Sequence, residues 1–232
     1  LITANLYRLE KGMKSCELEN YYDDYKPMKI TLDENLTPNA NAQRYFKKYA
    51  KEKRAVEIVT PQKEQTEKDL DYLGSVGHEL SLAADKSDFK DIEEELISQG
   101  LLPAPKNKSV KTAESPYREY IADGYAIKCG KNNLQNDRLL SRAYKDDLWL
   151  HAKGFHSPFV IVETKGEKIP DEVIKTAAEI CAYYSDGGKG GKVHVDYCLR
   201  KFVKKPPKAK PGSVIYTDYK TACVQPLPHD EM

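Results

Sequence analysis

The first hundred residues place apolar side chains at helical spacing, after two short segments with extended character. The two strand candidates are residues 14–20 and 28–33. Thr37 directly before Pro38 predicts a helix start with Thr37 as the N-cap, and this helix is expected to run to about Val56. Its apolar positions recur every three or four residues and are Ala42, Tyr45, Phe46, Tyr49 and Val56.

Two further helices are predicted before residue 101. One begins at Pro61, and Gly74 and Gly77 lower its helical propensity. Its apolar positions are Leu70, Leu73, Val76, Leu80 and Ala84. The other runs from about Asp88 to Gly100, a residue type that commonly ends helices. We therefore expect residues 1–100 to form a mainly helical segment after the two strand candidates.

Beyond residue 116 the pattern changes to short strands that alternate with helices. Residues 101–116 are rich in Pro, Lys and Ser without a period, which predicts a linker. Residues 117–232 then read as ββαββαββ, with helices at about 133–144 and 170–184. Because most connections are of hairpin length, this order favours an α+β domain with a mainly antiparallel sheet.

Composition argues against a membrane protein and for a cytoplasmic one. Of 232 residues, 31% are charged and the net charge is +1, and no apolar stretch approaches the roughly 18 residues of a membrane span, so no membrane insertion is expected. Five scattered cysteines without a CxxC pair favour a reducing, cytoplasmic location. The chain begins at Leu1 without Met or a signal segment, which we interpret as a fragment of a longer protein.

Charge is segregated along the chain, and this favours nucleic acid as a partner. Residues 41–54 contain six basic residues and one Glu. Residues 192–212 interleave Lys and Arg with Tyr197 and Phe202, a combination that suits phosphate contact and base stacking. A solvated basic face is an equally good interpretation. The loop 185–193 has the same two interpretations, and its Gly and Lys spacing does not fit a P-loop.

Residues 146–162, DDLWLHAKGFHSPFVIV, hold the most concentrated set of candidate site residues. On a strand, Asp147, Trp149, His151 and Lys153 share one side, which predicts a polar and aromatic surface. The alternative is a Trp149 half buried against the Asn-rich helix. A nucleophile, base and acid set from Ser157, His151 or His156, and Asp147 has no supporting motif. The spacing of the histidines matches no standard zinc pattern, so we expect no metal site. We also expect neither a cofactor nor catalysis.

Four motifs, in this order, resemble the NFACT family of fibronectin-binding protein A-like and ribosome quality control proteins. They are GYAIKCGKNNLQND (124–137), DDLWLHAKG (146–154), AAEICAYYSDGGKGGKVHVDY (177–197) and VKKPPKAKPGSVIY (203–216). The segments LITANLYRLEKG, NLTPNANAQRYFKKYAKEKRA and EEELISQGLL are similar to the coiled-coil and middle region of the same proteins. Where many relatives read Pro-Gly-Ser-His, this chain has His156, Ser157, Pro158 and Phe159.

The resemblance implies a non-enzymatic role in RNA and ribosome binding. It implies a partial coiled coil and middle region at 1–100 and an RNA-binding domain at 117–232. It also implies that the whole protein is cytoplasmic, binds tRNA and the large ribosomal subunit through rRNA and the stalk base, and supports alanine tailing of stalled nascent chains. The alternatives are an anchorless fibronectin-binding adhesin at the surface of a Gram-positive cell and, more weakly, a nuclease or hydrolase.

The expected contact residues follow from the resemblance and the basic segments. The RNA-binding set is Lys131, Asn132, Asn133, Asn136, Asp137, Asp147, Trp149, His151, Lys153, Lys189, Lys192, Lys204 and Lys205. The basic helix expected to contact the ribosome carries Arg44, Lys47, Lys48, Lys51 and Arg54.

Overall fold

The computed structural model describes residues 1–104 and 116–231. Within it the chain forms two compact units, Leu1–Lys68 and Asp69–Met232. The predicted linker at 101–116 lies for the most part outside the described residues, so the domain boundary predicted at residue 117 stays a prediction. The α+β class and the mainly antiparallel sheet are confirmed.

The first unit begins with a small hairpin. A 3₁₀ helix, Thr3–Arg8, precedes strands β1 (Ser15–Asn20) and β2 (Lys26–Thr31), which pair antiparallel. Asp24 and Tyr25 turn the chain between them with φ values of 48° and 56°. The hairpin packs on a small apolar cluster of Ile2, Leu9, Leu18, Ile30 and Leu32. Both predicted strands are therefore present.

Helix α1 (Pro38–Leu82) is one continuous helix of 45 residues, so the predicted break before Pro61 is wrong. Its start is as predicted, because the Thr37 hydroxyl accepts a hydrogen bond from the amide of Ala40 at 3.2 Å. Proline fits helical φ, but inside a helix it removes one backbone hydrogen bond and its ring crowds the carbonyl four residues earlier, which is why it commonly kinks or ends helices. The residues of the turn before Pro61 are exposed. Water can therefore hydrogen-bond to the backbone carbonyl that has no N–H donor at Pro61.

The predicted apolar face of α1 is largely exposed. Within the first unit Phe46 is 72% exposed and Tyr49 61%. Within the second unit Leu70 is 64% exposed, whereas Tyr72 and Val76 are buried. A helical stripe is buried only where another element covers it, and helix α2 (Lys86–Ser98) packs on Tyr72 and Val76 through Ile92.

Helix α2 begins and ends close to the prediction. The Asp85 carboxylate accepts hydrogen bonds from the amides of Ser87, at 2.8 Å, and Asp88, at 3.0 Å, which caps the first turn. Gly100 follows the helix with a φ of 71°, a left-handed conformation that favours glycine.

A six-stranded antiparallel sheet organises the rest of the second unit. Its elements in chain order are β3 (Arg118–Ala122), β4 (Tyr125–Cys129), α3 (Asn133–Arg142), β5 (Leu148–Ala152), β6 (Val160–Val162), α4 (Asp171–Tyr183), β7 (Val193–Leu199) and, after a two-stranded insertion, β10 (Lys220–Val224). The spatial order is β10-β7-β5-β6-β4-β3. The predicted ββαββαββ order is confirmed, and the insertion adds the short pair β8 (Val203–Lys204) and β9 (Ile215–Tyr216).

Both faces of this sheet are covered. Helix α4 packs on one face, where Leu148, Leu150 and Ala152 of β5 join Val193 and Val195 of β7 in the main core. Helix α3 and the β8–β9 pair cover the opposite face over Trp149, Phe159 and Cys198. No helix among the described residues is both long and apolar enough to cross a membrane.

Candidate nucleic-acid interface

The Asn-rich motif at the start of α3 is buried. The Asn132 side chain accepts a hydrogen bond from the amide of Gln135 at 2.9 Å and caps the helix. The Asn136 side-chain oxygen accepts one from the amide of Phe159, also at 2.9 Å. These contacts join α3 to the segment before β6. The prediction that these two side chains lie on an exposed RNA-facing surface is wrong, because both are buried and their oxygens accept hydrogen bonds from backbone amides.

Asn133 belongs to a buried polar network between α1, α2 and α3. Its side-chain amide donates to the Ser75 hydroxyl at 2.9 Å and to Glu95 at 3.2 Å. The Tyr72 hydroxyl donates to the same Glu95 oxygen at 2.8 Å. Burial raises the pKa of Glu95, and burial with the neighbouring Glu95 charge raises that of Glu79 well above its usual range. Asn133 is therefore also an interior residue rather than an exposed contact.

The two charged members of the same motif are paired within the protein. The Lys131 ammonium lies 3.2 Å from Asp88, and both side chains are largely buried. Asp137 forms an ion pair with Lys205 and accepts a hydrogen bond from the amide of Gly212 at 3.2 Å. Asp137 therefore fastens the segment between β8 and β9 to helix α3.

The row predicted on β5 is only partly a surface. Trp149 is 0% exposed and Asp147 is 2% exposed. The Asp147 carboxylate accepts hydrogen bonds from the amides of Tyr144, at 2.7 Å, and Thr164, at 3.1 Å. The prediction of an exposed row is wrong for both residues, because it assumed that solvent covers the second face of the sheet. The sequence alternative of a half-buried Trp149 also underestimates its burial.

His151 and Lys153 continue the row toward solvent. The His151 ring lies parallel to Trp149 with 5.8 Å between centroids, and burial lowers its pKa to about 4. The imidazole is therefore neutral at pH 7. Neither ring nitrogen hydrogen-bonds to any residue within 1–104 or 116–231. Lys153 is exposed, and its ammonium lies 5.4 Å from the Tyr219 ring centroid.

A cleft opens next to His151, and three loops meet at its rim. The cleft has a volume of about 440 Å³. It is lined by the end of the β5–β6 turn at 154–157, by Asp186 from the loop after α4, by residues 211–214 before β9, and by one turn of α1 at Asp71, Tyr72 and Ser75. Aromatic rings of Phe155, Phe159 and Tyr216 form much of its wall.

His156 anchors the β5–β6 turn to the side of the cleft, a contact that sequence reasoning missed. Its Nδ1 lies 3.0 Å from Asp186 and its Nε2 3.3 Å from Asp71. The ring packs on Gly74 of α1, where an added Cβ would lie 2.8 Å from the imidazole. Gly74 therefore allows a close approach, and no local pattern links it to a histidine so far along the chain.

Exposed lysines stand beside each of the three loops. Lys153 precedes the β5–β6 turn, Lys189 and Lys192 follow Asp186, and Lys204 precedes the segment 205–214. The ammonium of Lys210, next to the lining residue Pro211, lies 5.2 Å from the Tyr72 ring centroid. Ring contacts thus place Lys153 and Lys210 at the edge of the cleft. Lys189, Lys192 and Lys204 lie on the segments that lead to it, and the RNA contacts expected of these lysines stay predictions.

The predicted basic helix lies in the first unit on α1. Arg44, Lys47, Lys48, Lys51 and Arg54 are all exposed. Arg44 lies 2.8 Å from Asp33, and Lys48 lies 3.8 Å from Glu52. Exposed pairs of this kind contribute little to stability, so these side chains can exchange partners readily.

The structure does not assemble the nucleophile, base and acid set considered from sequence. Asp147 is bonded to backbone amides, whereas the Ser157 hydroxyl accepts a hydrogen bond from the amide of Ala152 at 2.9 Å. His156 is held between two other carboxylates. Among residues 1–104 and 116–231, no group of three or more His, Cys, Asp or Glu side chains is placed to hold a metal ion.

Comparison with known proteins identifies the class to which this fold and lysine-rimmed cleft belong. Residues 117–218 match the model of the NFACT protein RNA binding domain. Residues 1–115 match the model of the NFACT N-terminal and middle domains. The chain therefore belongs to the NFACT family, as its motifs predicted.

Similar proteins from two bacteria support membership of the NFACT family. The chain is 39% identical over 234 residues to the Rqc2 homolog RqcH of Bacillus subtilis, and 40% identical over 228 residues to that of Streptococcus suis. Each alignment covers 97% of this chain but only 40% and 41% of the relative. The chain thus spans about two fifths of the length of these relatives.

A solved structure is also similar. It is described as the C-terminal of the fibronectin/fibrinogen-binding protein from Streptococcus suis, and it matches with a TM-score of 0.74 at 40% identity. The match covers 83% of this chain and 77% of that one.

Proposed function

We propose that this chain is the RNA-binding portion of a ribosome quality control factor. The observation that carries the proposal is the convergence of three lysine-bearing loops on one cleft, within a domain that matches an RNA-binding family model. Lysines on separate loops can follow a phosphate backbone, and neutralised phosphates release counterions, which favours binding.

The relatives define the finer proposal. Proteins named Rqc2 homolog RqcH are 39–40% identical to this chain over nearly all of its length. By analogy we propose that the intact protein binds tRNA and the large ribosomal subunit, through rRNA and the stalk base, and supports alanine tailing of stalled nascent chains. In this proposal the chain binds its partners and catalyses no reaction. Because ribosomes are cytoplasmic, the protein would act in the cytoplasm.

Salt-dependent binding tests the RNA proposal. Labelled tRNA is titrated with the 232-residue chain at several salt concentrations. The logarithm of affinity should fall linearly with the logarithm of salt, and the combined variant Lys189→Ala, Lys204→Ala should reduce the slope by roughly 2, about one per phosphate contact. Lys168→Ala, Lys175→Ala provides the matched control, since both lysines are exposed and neither lies on a loop that lines the cleft. Affinity indifferent to salt and to the lysine pair would reject the proposal.

The ribosome proposal needs the intact protein. Co-sedimentation with large ribosomal subunits, followed by sequencing of the recovered RNA, should yield rRNA and tRNA. We propose that the exposed basic face of α1, with Lys47, Lys51 and Arg54, contributes to this association. Replacing these three residues with Ala should then weaken co-sedimentation more than it weakens binding of free tRNA. Recovery of no ribosomal RNA would refute a ribosomal partner.

Fibronectin binding is a second candidate, favoured by the similarity to the Streptococcus suis protein. It requires presentation at the cell surface, where the chain would act as an adhesin. Immobilised fibronectin should then retain the chain, and the variant Lys189→Ala, Lys204→Ala should bind as well as the unchanged protein if another surface is used. Lack of retention at physiological salt would eliminate this candidate.

A further inference from the structure

The cleft beside His151 combines aromatic walls with hydrogen-bonding groups and a basic rim. We propose that it receives a single unpaired nucleobase of the bound RNA, with the flanking phosphates on the lysines outside. This inference rests on the proposed RNA binding and specifies how one nucleotide is held. The volume of about 440 Å³ lies within the roughly 300–1,000 Å³ of small-molecule sites.

Aromatic rings at the wall provide stacking surfaces for a base. Phe155 is 42% exposed and lies against the backbone of Gly187, where an added Cβ would approach the ring to 2.9 Å. On another side, Tyr216 packs on Trp149 and on Tyr219, with centroid distances of 4.8 and 5.2 Å. Unpaired bases are commonly held by such rings, each of which can stack on a base face.

The polar groups of the cleft suit a base edge better than a phosphate. Asp71 and Asp186 each use one carboxylate oxygen on His156, at 3.3 and 3.0 Å, which leaves the second oxygen of each at the cleft wall for a base. Carboxylates accept hydrogen bonds from the amino groups of guanine, adenine and cytosine and repel phosphate. The neutral His151 ring can donate from one nitrogen and accept at the other. Uracil, which lacks an amino group, should fit less well.

Lysines at the rim place the backbone outside. The Lys153 ammonium lies over Tyr219, whose ring contacts the wall residue Tyr216. On the α1 side the Lys210 ammonium lies over Tyr72 and 3.3 Å from Asp69. Positive charges at two edges and carboxylates along one wall of the cleft separate the phosphates from the base, which is the polarity that a nucleotide requires.

Comparison of two RNA strands with the 232-residue chain tests the inference. One labelled single strand contains adenines, and the other has the same backbone with abasic positions in their place. One stacked base should give the first strand about 5- to 150-fold higher affinity. A uridine strand should be intermediate. Trp149, the only Trp, packs on Phe159 with 5.3 Å between centroids, so its fluorescence should change with the adenine strand and not with the abasic strand.

Variants separate the cleft from other base contacts. Phe155→Ala should remove most of the difference between adenine and abasic strands, and Asp186→Asn should reduce the difference between adenine and uridine. Tyr144→Ala is the matched control, because Tyr144 is 81% exposed and does not line the cleft. It should leave both differences unchanged.

Four outcomes are distinguishable. Loss of base dependence in Phe155→Ala but not in Tyr144→Ala supports the inference. Equal binding of abasic and adenine strands by the unchanged chain overturns the cleft while RNA binding stands. Base dependence that survives both cleft variants also overturns it, because bases are then read elsewhere. Failure to bind any strand refutes RNA binding and the cleft together.

Discussion

Alanine substitutions at two glycines of helix α1 should have different effects on stability. Ala is more favourable than Gly in a helix interior by roughly 0.8–1 kcal/mol. At Gly77 an added Cβ would meet no atom within 4 Å. Gly77→Ala should therefore keep this gain and raise the free energy of unfolding by about 1 kcal/mol.

At Gly74 the same methyl group meets the cleft. It would lie 2.8 Å from Cε1 and 3.2 Å from Nε2 of His156, so the ring must move. Movement breaks the contacts with Asp186 at 3.0 Å and Asp71 at 3.3 Å. A hydrogen bond contributes about 0.5–1.5 kcal/mol, and partial exposure places these two near the lower limit, a loss of about 1–2 kcal/mol together. Gly74→Ala should thus be neutral or destabilising by about 1 kcal/mol.

Urea unfolding followed by far-UV circular dichroism and by Trp149 fluorescence measures both variants. Coincident transitions from the two probes justify a two-state free energy. The variants should differ by about 1–2 kcal/mol. In a His156→Ala background, Gly74→Ala should recover the gain seen for Gly77→Ala, because the obstructing ring is gone. Equal stabilisation by Gly74→Ala and Gly77→Ala in a chain that keeps His156 would refute the packing of His156 on α1.

Three further predictions concern buried side chains. Trp149→Ala should lower the free energy of unfolding by about 3–5 kcal/mol, and Trp149→Phe by less, as measured by urea unfolding. Burial raises the pKa of Glu79 and Glu95, so their favourable contribution is complete below the ordinary glutamate pKa and is lost as pH rises through the raised values. Glu79→Gln should therefore flatten the decline of the urea midpoint between acidic and neutral pH. Asp147→Ala should cost about 2–4 kcal/mol by leaving the buried amide of Thr164 and the partly buried amide of Tyr144 without acceptors, yet tRNA affinity measured well below the melting temperature should not change.

Periodicity alone predicted one face of the sheet correctly. On β5, Leu148 and Leu150 alternate with polar and aromatic residues, and both are buried under α4. The alternation also predicted that Trp149 faces away from them, which it does. The period of a strand separates two faces but carries no information on whether a second layer covers the outer face. The covering elements, α3 and the β8–β9 pair, are contacts between distant parts of the sequence.

The cleft was not predictable for the same reason. His156 meets Asp71, which is 85 residues earlier, and Gly74 only after the domain has folded. From sequence, Gly74 only lowers the helical propensity of α1. In the structure, the missing side chain at Gly74 leaves space for the imidazole ring of His156. Local patterns also predicted a buried stripe that includes Leu70, which is exposed. Helical period identifies a face but not the element that covers it.

The buried Asn-rich helix positions a basic segment that was itself predicted to contact RNA. Asp137 binds the amide of Gly212 at 3.2 Å and pairs with Lys205, and an added Cβ at Gly212 would overlap Asn133. Helix α3 therefore holds both ends of the basic segment 205–212, whose last residues line the cleft. Asn133 is itself fixed by Glu95. By holding the segment 205–212 in place, this polar interior should lower the conformational entropy lost if the segment binds RNA as proposed. Interior residues of helix α3 are therefore expected to influence RNA affinity through the position of this segment.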